Sequence, residues 1–177
     1  NDYLTLLSRQ ATTDPLTKLN NYLSFKNDLE TQVSAFQHTK HALTMLALDI
    51  DYFKRVNDDH GHLTGNEILQ AVGKILVDES EKMPNAKVYR VGGEEFNIIM
   101  PNTDLPEAAK FSYHLQNRIR ETTFPTNHLK LQITVSMGVA KLGPNDVTSN
   151  LFYERTDRML YHSKGQGRDQ VTIENEK

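Results

Sequence analysis

The chain of 177 residues is 37% hydrophobic and contains nine glycines and six prolines, which is typical of a single globular domain with a sizeable core. Its formal net charge of −3 leaves no basic excess, and this argues against a protein that binds duplex nucleic acid through phosphate contacts. The absence of cysteine excludes disulfides and thiolate metal sites, and no apolar run reaches transmembrane length.

The first third of the chain predicts two helices followed by a buried strand. Apolar residues at three- and four-residue steps near the amino end predict a short amphipathic helix, which we interpret as a linker or stalk over residues 1–13. The main domain then covers residues 14–177. Helical spacing of apolar residues predicts a helix over 23–36, and the continuous apolar run 42–50 predicts a central strand.

The remaining chain alternates helices with strands. A helix is expected from residue 64 to near Pro84, and a tight hairpin is expected around Gly92 and Gly93, because glycine readily takes a positive φ. The later predicted elements are a helix over 106–120, paired strands over 129–135 and 137–142, a helix over 151–163 and an edge strand over 170–173. This order predicts an α/β (α+β) fold, a central and mostly antiparallel sheet flanked by helices.

Acidic residues occur at two strand ends. Asp49 and Asp51 end the central strand, where Ile50 can also offer its carbonyl oxygen, and such hard oxygen ligands suit Mg²⁺ and a bound polyphosphate. Two acids after a strand also occur as mere solvated terminators, so the pattern alone is weak. Glu94 and Glu95 lie at the hairpin. Because consecutive strand residues face opposite ways, we assign Glu94 to the metal and Glu95 to a supporting or base role.

Residues that could hold phosphates lie beside the first acidic cluster and near the carboxyl end. The backbone N–H groups of Tyr52, Phe53 and Lys54 could form an anion-binding turn. Lys164 and Arg168 could add two cationic donors, although a cationic helix end that interacts with its own dipole explains them equally well.

Two asparagines, Asn57 and Asn66, lie in or next to the polar, glycine-containing stretch before the helix expected from residue 64. We expect both side chains to face a ligand, and Asn66 could equally cap that helix. From spacing alone, a metal-dependent phosphohydrolase remains an alternative.

Four blocks of the sequence, between Asp14 and Arg168, resemble the GGDEF family of diguanylate cyclases in order and approximate spacing. They are DPLTKLNN, LDIDYFKRVNDDHGHLTGNEIL, RVGGEEF and MLYHSKGQGR. The resemblance implies an α/β palm related to the nucleotidyl cyclases. It also implies condensation of two GTP molecules into cyclic di-GMP with release of pyrophosphate.

The resemblance also assigns roles to residues. It implies that Asp49, the Ile50 carbonyl and Glu94 bind Mg²⁺, with Mn²⁺ as an alternative ion, and that Glu95 is a candidate proton acceptor. The other implied contacts are triphosphate binding by the Tyr52–Lys54 backbone with Lys164 and Arg168, and guanine recognition by Asn57 and Asn66.

The partners implied by the resemblance are GTP and a second copy of the domain, since the family reacts two nucleotides across a face-to-face dimer. We expect a cytoplasmic domain with no direct membrane contact from this segment, fused to an upstream sensory domain in a parent protein that could be membrane-anchored. No duplex nucleic acid is expected.

The sequence departs from the family pattern at several positions. Asn66 replaces the usual aspartate, which puts the choice of base in doubt and keeps a base-promiscuous cyclic dinucleotide synthase as an alternative. The family's R-x-x-D product-inhibition motif is replaced by Met83-Pro84-Asn85-Ala86, so we expect no feedback there. Asp169 and the pair Asn21-Tyr22 are also unusual. A non-catalytic module that senses GTP or a dinucleotide is the remaining alternative, which the intact acidic residues disfavour.

Overall fold

The computed structural model describes residues 2–126 and 129–175, and within them the chain forms six helices and seven strands. The helices are α1 (Asp2–Thr12), α2 (Tyr22–Thr39), α3 (Phe53–His60), α4 (His62–Ser80), α5 (Leu105–Glu121) and α6 (Ser149–Gly165). The strands are β1 (Leu43–Ile50), β2 (Lys87–Gly92), β3 (Glu95–Pro101), β4 (Phe124–Thr126), β5 (Leu129–Leu131), β6 (Val135–Lys141) and β7 (Val171–Ile173).

Five of the strands form one sheet in the order β2-β3-β1-β6-β7. All neighbours in it are antiparallel except β6 and β7, which are parallel. The predicted mostly antiparallel sheet flanked by helices is therefore confirmed. None of the helices in residues 2–126 and 129–175 combines the length and apolar character needed to cross a bilayer.

The central strand β1 is buried along its whole length because helices cover both faces of the sheet. Leu46, Leu48 and Ile50 pack into the core shared with α4 and α5. Leu43 and Met45 face the opposite core, which contains side chains of α2 and α6. Since side chains alternate along a strand, the odd-numbered face directs the end of β1 towards α6.

Helix α6 lies unusually close to β6, and a glycine makes this possible. A Cβ atom built on Gly138 would lie 2.2 Å from the backbone nitrogen of Leu160 and 2.7 Å from the carbonyl oxygen of Thr156. Only a residue without a side chain fits at this contact. Gly138 therefore sets the distance between the sheet and the helix that carries Lys164.

The segment between α1 and α2 ties the hairpin to the rest of the domain. Arg90 donates from Nε and Nη2 to the carbonyl oxygen of Gly93 at 3.0 and 2.9 Å, and from Nη1 to Asp14 at 3.1 Å. Asn20 accepts a hydrogen bond from the Arg90 backbone N–H and donates from its side chain to the carbonyl oxygen of Val88. Asn21 is the N-cap of α2, as its residue type predicts.

Helix α3 was not predicted from the sequence, which indicated only a polar stretch there. Phe53 and Val56 are its only large apolar side chains, too few to produce a helical apolar stripe. Helix α4 consequently begins at His62, with Gly61 as its N-cap, and Asn66 lies in its second turn. The suggestion that Asn66 caps this helix is wrong.

Two details of the predicted strands also differ. The hairpin turn falls on Gly93 and Glu94 rather than on the glycine pair, and neither Gly92 nor Gly93 takes a left-handed φ. The predicted pairing of 129–135 with 137–142 is wrong, because β5 pairs instead with β4, and β6 pairs with β1 and β7. The short strand β4 contains Pro125, which weakens its sequence signal.

Candidate active site

The acidic residues of the two predicted clusters meet where β1 ends. Asp49 is paired with Glu95 in the register of β1 and β3, and the N–H of Ile50 donates to the carbonyl oxygen of Glu94 at 3.2 Å. Lys164, on α6, donates from Nζ to Oδ2 of Asp49 at 2.6 Å. The strand end and the helix end thus converge, although they are 115 residues apart in the sequence.

The environment of Asp49 strongly affects its ionisation. Burial raises the pKa of Asp49 to about 6, helped by repulsion from Glu94 and Glu95 and opposed by the hydrogen bond and charge of Lys164. The pKa of Lys164 is raised in turn, because the contacts with Asp49 outweigh the effect of its burial. Burial, more than charge, thus disfavours the ionised form of Asp49, and the two glutamates add to this effect.

Most of the predicted ligand residues line one open cavity of about 450 Å³ at this point. Those members are Asp49, Ile50, Tyr52, Phe53, Lys54, Glu94, Lys164 and Arg168. The other lining residues, Arg55, Asp58 and Asp59, were not predicted as ligands. The cavity thus combines carboxylates with lysine and arginine side chains, which suits a metal–polyphosphate ligand.

The floor of this cavity is the N-terminus of α3. Tyr52 precedes the helix with a left-handed φ of 56° and makes no side-chain cap hydrogen bond. The N–H groups of the first helical turn are not used by intrahelical bonds, and the helix dipole is positive there. The turn predicted at Tyr52–Lys54 is therefore a helix start, which is better suited to hold a phosphate than an isolated turn.

The exposed ring of Tyr52 is contacted by two guanidinium groups. The Cζ atoms of Arg55 and Arg168 lie 4.9 and 4.8 Å from its centroid, within the range of cation–π contacts. These contacts keep two cationic side chains next to the helix start.

Glu94 and Glu95 are less separated than strand alternation suggests. Glu94 belongs to the turn, so the alternation rule does not apply between it and Glu95, and both affect the pKa of Asp49. Glu94 lines the cavity. Burial raises the pKa of Tyr153 on α6, and the charges of Asp157 and Glu95 add to the shift.

Asp51 has a different role from Asp49, and the sequence did not reveal it. Its carboxylate accepts hydrogen bonds from the hydroxyls of Thr134 and Ser136 at 2.6 Å and from the backbone N–H of Asp169 at 2.9 Å. A buried carboxylate with these donors is satisfied by the protein itself. Asp51 is therefore a structural acid rather than an available ligand.

The two asparagines lie outside the cavity described above. Asn57 is on α3, and its Oδ1 is buried without a hydrogen-bond partner in the described part of the chain. A Cβ atom at Gly65 would lie 1.9 Å from this oxygen, so the glycine leaves room for Asn57. Asn66 is half-buried on α4. An unpaired buried oxygen is costly unless a ligand supplies the donor.

The residues at the end of β1 can bind a divalent cation only if a backbone carbonyl oxygen joins the side-chain ligands. Among the described residues, no group of three histidine or acidic side chains could hold a metal by itself. The predicted set uses two carboxylates, Asp49 and Glu94, with the carbonyl oxygen of Ile50. Such mixed oxygen ligands, completed by phosphate and water oxygens, are what Mg²⁺ takes in nucleotide sites. A cation there would relieve the repulsion of Asp49 by Glu94 and Glu95.

Comparisons with known proteins agree in sequence and in structure. Residues 11–170 match the family described as diguanylate cyclase, GGDEF domain. Diguanylate cyclase DgcP of Pseudomonas aeruginosa is 35% identical over 167 residues, which make up 93% of this chain and 24% of that protein. The coiled coil and GGDEF domain of DgcB from Caulobacter crescentus, in complex with c-di-GMP, gives a TM-score of 0.92 at 29% identity and covers 98% of this chain and 91% of that one.

A third relative carries the same form of the signature. The active GGEEF domain of a diguanylate cyclase from Vibrio cholerae gives a TM-score of 0.82 at 28% identity, covering 90% of this chain and 99% of that one. Four curated relatives are much longer, and the chain spans between 24% and 49% of their lengths.

Proposed function

This chain belongs to the GGDEF family of diguanylate cyclases, and on that basis we propose that it condenses two GTP molecules into cyclic di-GMP with release of two pyrophosphates. The observation that carries the proposal is the cavity at the end of β1. There, Asp49 and Glu94 lie beside Lys164, Arg168 and the start of α3. This combination suits Mg²⁺ and a triphosphate together.

The acids have the task of holding the cation. Asp49, the Ile50 carbonyl and Glu94 would bind Mg²⁺ or Mn²⁺, and the ion, when bound, neutralises charge on the reacting phosphates. Lys164, which donates to Asp49 in this structure, would be available to a phosphate oxygen with the cation bound. The α3 amides and Arg168 complete the contacts to the triphosphate.

Cyclisation needs two domains, since each bound GTP supplies one 3′-hydroxyl and one α-phosphate. With two domains face to face, each hydroxyl oxygen attacks the opposite α-phosphorus in line, and the bond to the pyrophosphate oxygen breaks. The hydroxyl proton passes to a nearby base, for which Glu95 is our candidate. The protein contributes mainly positioning and charge neutralisation.

The direct test is incubation of the protein with GTP and Mg²⁺, followed by chromatography of the products. We expect cyclic di-GMP and pyrophosphate, with activity lost on removal of the metal. Glu94→Gln should abolish synthesis, whereas Glu30→Gln, an exposed change of the same kind on α2, should not. Release of orthophosphate would instead indicate a phosphohydrolase, and no product at high protein concentration would contradict the proposal.

A second candidate function is synthesis of mixed cyclic dinucleotides. One feature of the chain favours it, namely Asn66 in place of the family's aspartate. An amide at position 66 offers one acceptor and one donor, whereas guanine presents two donors on its N1 and N2 edge. Competition between ATP and GTP with identification of the products distinguishes the two functions. Asn66→Asp should shift the preference towards GTP.

The setting of the domain in a longer protein is also a proposal. The curated relatives are two to four times as long as the chain, which supports fusion to a further segment. We place a sensory segment upstream of the domain. Helix α1 keeps Leu4 62% exposed, which fits a linker or stalk over residues 1–13 that precedes the catalytic domain at 14–177. We propose a cytoplasmic location, because the proposed reaction needs GTP.

A further inference from the structure

The turn that carries Arg168 has an unusual backbone. Arg168 and Asp169 have φ values of 65° and 47°, so two consecutive residues with side chains adopt the left-handed conformation. Such residues are uncommon and persist only where their surroundings hold them. The contacts of this turn therefore decide where the Arg168 side chain is directed.

Asp169 is the residue of this turn that the rest of the domain holds. Arg120, at the end of α5, donates from Nε to both carboxylate oxygens of Asp169 at 3.2 Å and from Nη2 to Oδ1 at 3.0 Å. Gln116 donates to the Asp169 carbonyl oxygen at 2.8 Å. The backbone N–H of Asp169 donates to Asp51. The turn is thus held by hydrogen bonds with two residues of α5 and with Asp51, which follows β1.

Asp51 is itself held rigidly. The hydroxyls of Thr134 and Ser136 donate to its two carboxylate oxygens, and its own N–H donates to the Thr134 carbonyl oxygen at 2.9 Å. The carboxylate therefore provides a fixed acceptor for the Asp169 N–H, two residues beyond Asp49. This connects the geometry of the metal-binding strand end to that of the turn.

We propose that Asp51 and Arg120 are positioning residues that hold the left-handed turn at Arg168 and Asp169, and so direct the Arg168 guanidinium to the triphosphate. Arg168 lines the same cavity as Asp49 and lies against Tyr52, on the side where the phosphates are expected. If the turn relaxed to right-handed φ values, the direction of the side chain would change. This inference rests on the proposed function, because that function supplies the ligand.

The pair of Arg120 and Asp169 contributes little to folding stability by itself. Their side chains are 43% and 37% exposed, and ion pairs with such exposure are screened by solvent. Loss of Arg120 should therefore appear in the affinity for the triphosphate rather than in the melting temperature. Arg118 offers a matched control, since it lies on the same helix and pairs with Glu79, away from the site.

The test is a double-mutant cycle on binding of inorganic triphosphate with Mg²⁺, measured by calorimetry on Arg120→Gln, Arg168→Ala and the double variant. We expect Arg120→Gln to weaken binding on the order of tenfold in the unaltered domain and to have almost no effect once Arg168 is absent, because coupled residues are not additive. Arg118→Gln should leave the affinity unchanged. Asp51→Asn, which keeps the size of the side chain, should also weaken binding.

The outcomes separate the two proposals. Equal affinities of Arg120→Gln and the unaltered domain, or a full tenfold loss on top of Arg168→Ala, would overturn the positioning role and leave the cyclase assignment standing. If the unaltered domain bound neither triphosphate nor a non-hydrolysable GTP analogue, the cyclase assignment would be overturned, and this inference with it.

Discussion

Asp49 and Asp51 lie two residues apart and differ in what their neighbours offer them. Asp51 is satisfied by two hydroxyls and a backbone N–H, whereas Asp49 has one lysine and two repelling glutamates nearby. A carboxylate in the second situation gains most from a cation. Surroundings, rather than residue type, therefore separate the candidate metal ligand from the structural acid.

The raised pKa of Asp49 predicts a pH dependence of metal binding. Its pKa is about 6 in the folded domain against an ordinary value of 3.8, so its contribution to the stability of the metal-free fold is complete below pH 3.8 and is lost as the pH rises through 6. A metal binds only the ionised carboxylate. Affinity should therefore fall about tenfold per pH unit below pH 6 and level off above it.

The metal affinity at each pH can be measured by titration with Mn²⁺ alone, followed through its magnetic resonance signal. Without nucleotide, no nucleotide ionisation interferes. Asp104→Asn, at an exposed carboxylate paired with Lys141, should keep the same profile. Constant affinity between pH 5 and 7 would show that Asp49 does not bind the metal.

At this scale the sequence predicted most of the residues that line the cavity, but not the different surroundings of Asp49 and Asp51. The donors to Asp51 lie 83, 85 and 118 residues further along the chain, so no local pattern distinguishes it from Asp49. The partners of Asp169, Arg120 and Gln116, are equally remote. Roles that depend on such long-range contacts are visible only in the folded chain.

At the scale of the elements, the contact between α6 and β6 fixes the backbone positions of Lys164 and Arg168. Gly138→Ala should destabilise the domain by about 2–3 kcal/mol, because the added methyl group meets the backbone of α6 and cannot be accommodated by side-chain rotation. Thermal and denaturant unfolding measure the effect. Gly143→Ala is the matched control, since its Cβ would lie 3.6 Å from the nearest atom, the Asp146 carboxylate.

If Gly138→Ala melted at the temperature of the unaltered protein, the close packing of α6 on the sheet would be contradicted. A surviving but shifted α6 should also weaken triphosphate binding.

The hairpin that carries Glu94 depends on Arg90. Arg90→Met removes the bonds to Gly93 and Asp14 and should lower the turnover number on the order of tenfold to a hundredfold, because small displacements of a catalytic group are costly. Lys87→Met, on the same strand, breaks only the exposed pair with Asp28 and should leave turnover unchanged. Steady-state kinetics with GTP tests both variants, and equal turnover numbers would show that Arg90 has no such role.

Most elements were predictable because they follow one local period. Helices α2, α5 and α6 show an apolar stripe, and β1 shows a continuous apolar run. Helix α3 has no such stripe, and it is held to the domain by Phe53, which is buried in the core, and by Val56, which packs against that core. The pairing of β4 with β5 was missed because pairing partners depend on the whole sheet rather than on local sequence.

At the scale of the whole molecule, the proposed reaction makes activity depend on association. Specific activity should rise with protein concentration until dimers are saturated. In an equal mixture with Asp49→Asn, activity should fall to about a quarter of that of the unaltered protein at the same total protein concentration. The reason is that only dimers with two intact sites react. An equal mixture with Glu30→Gln, the remote control, should keep full activity. Activity of half in the first mixture would indicate that each domain works alone.

Asn20 has a consequence for how two copies can meet. It lies at the outer edge of β2, where it is hydrogen-bonded to the N–H of Arg90 and to the carbonyl oxygen of Val88. Another chain would need these two groups for strand addition. Extending the sheet across this margin would require Asn20 to be displaced first. At this margin, two molecules that approach with their nucleotides can therefore associate only through side chains and loops, an arrangement that can form and separate without unravelling either fold.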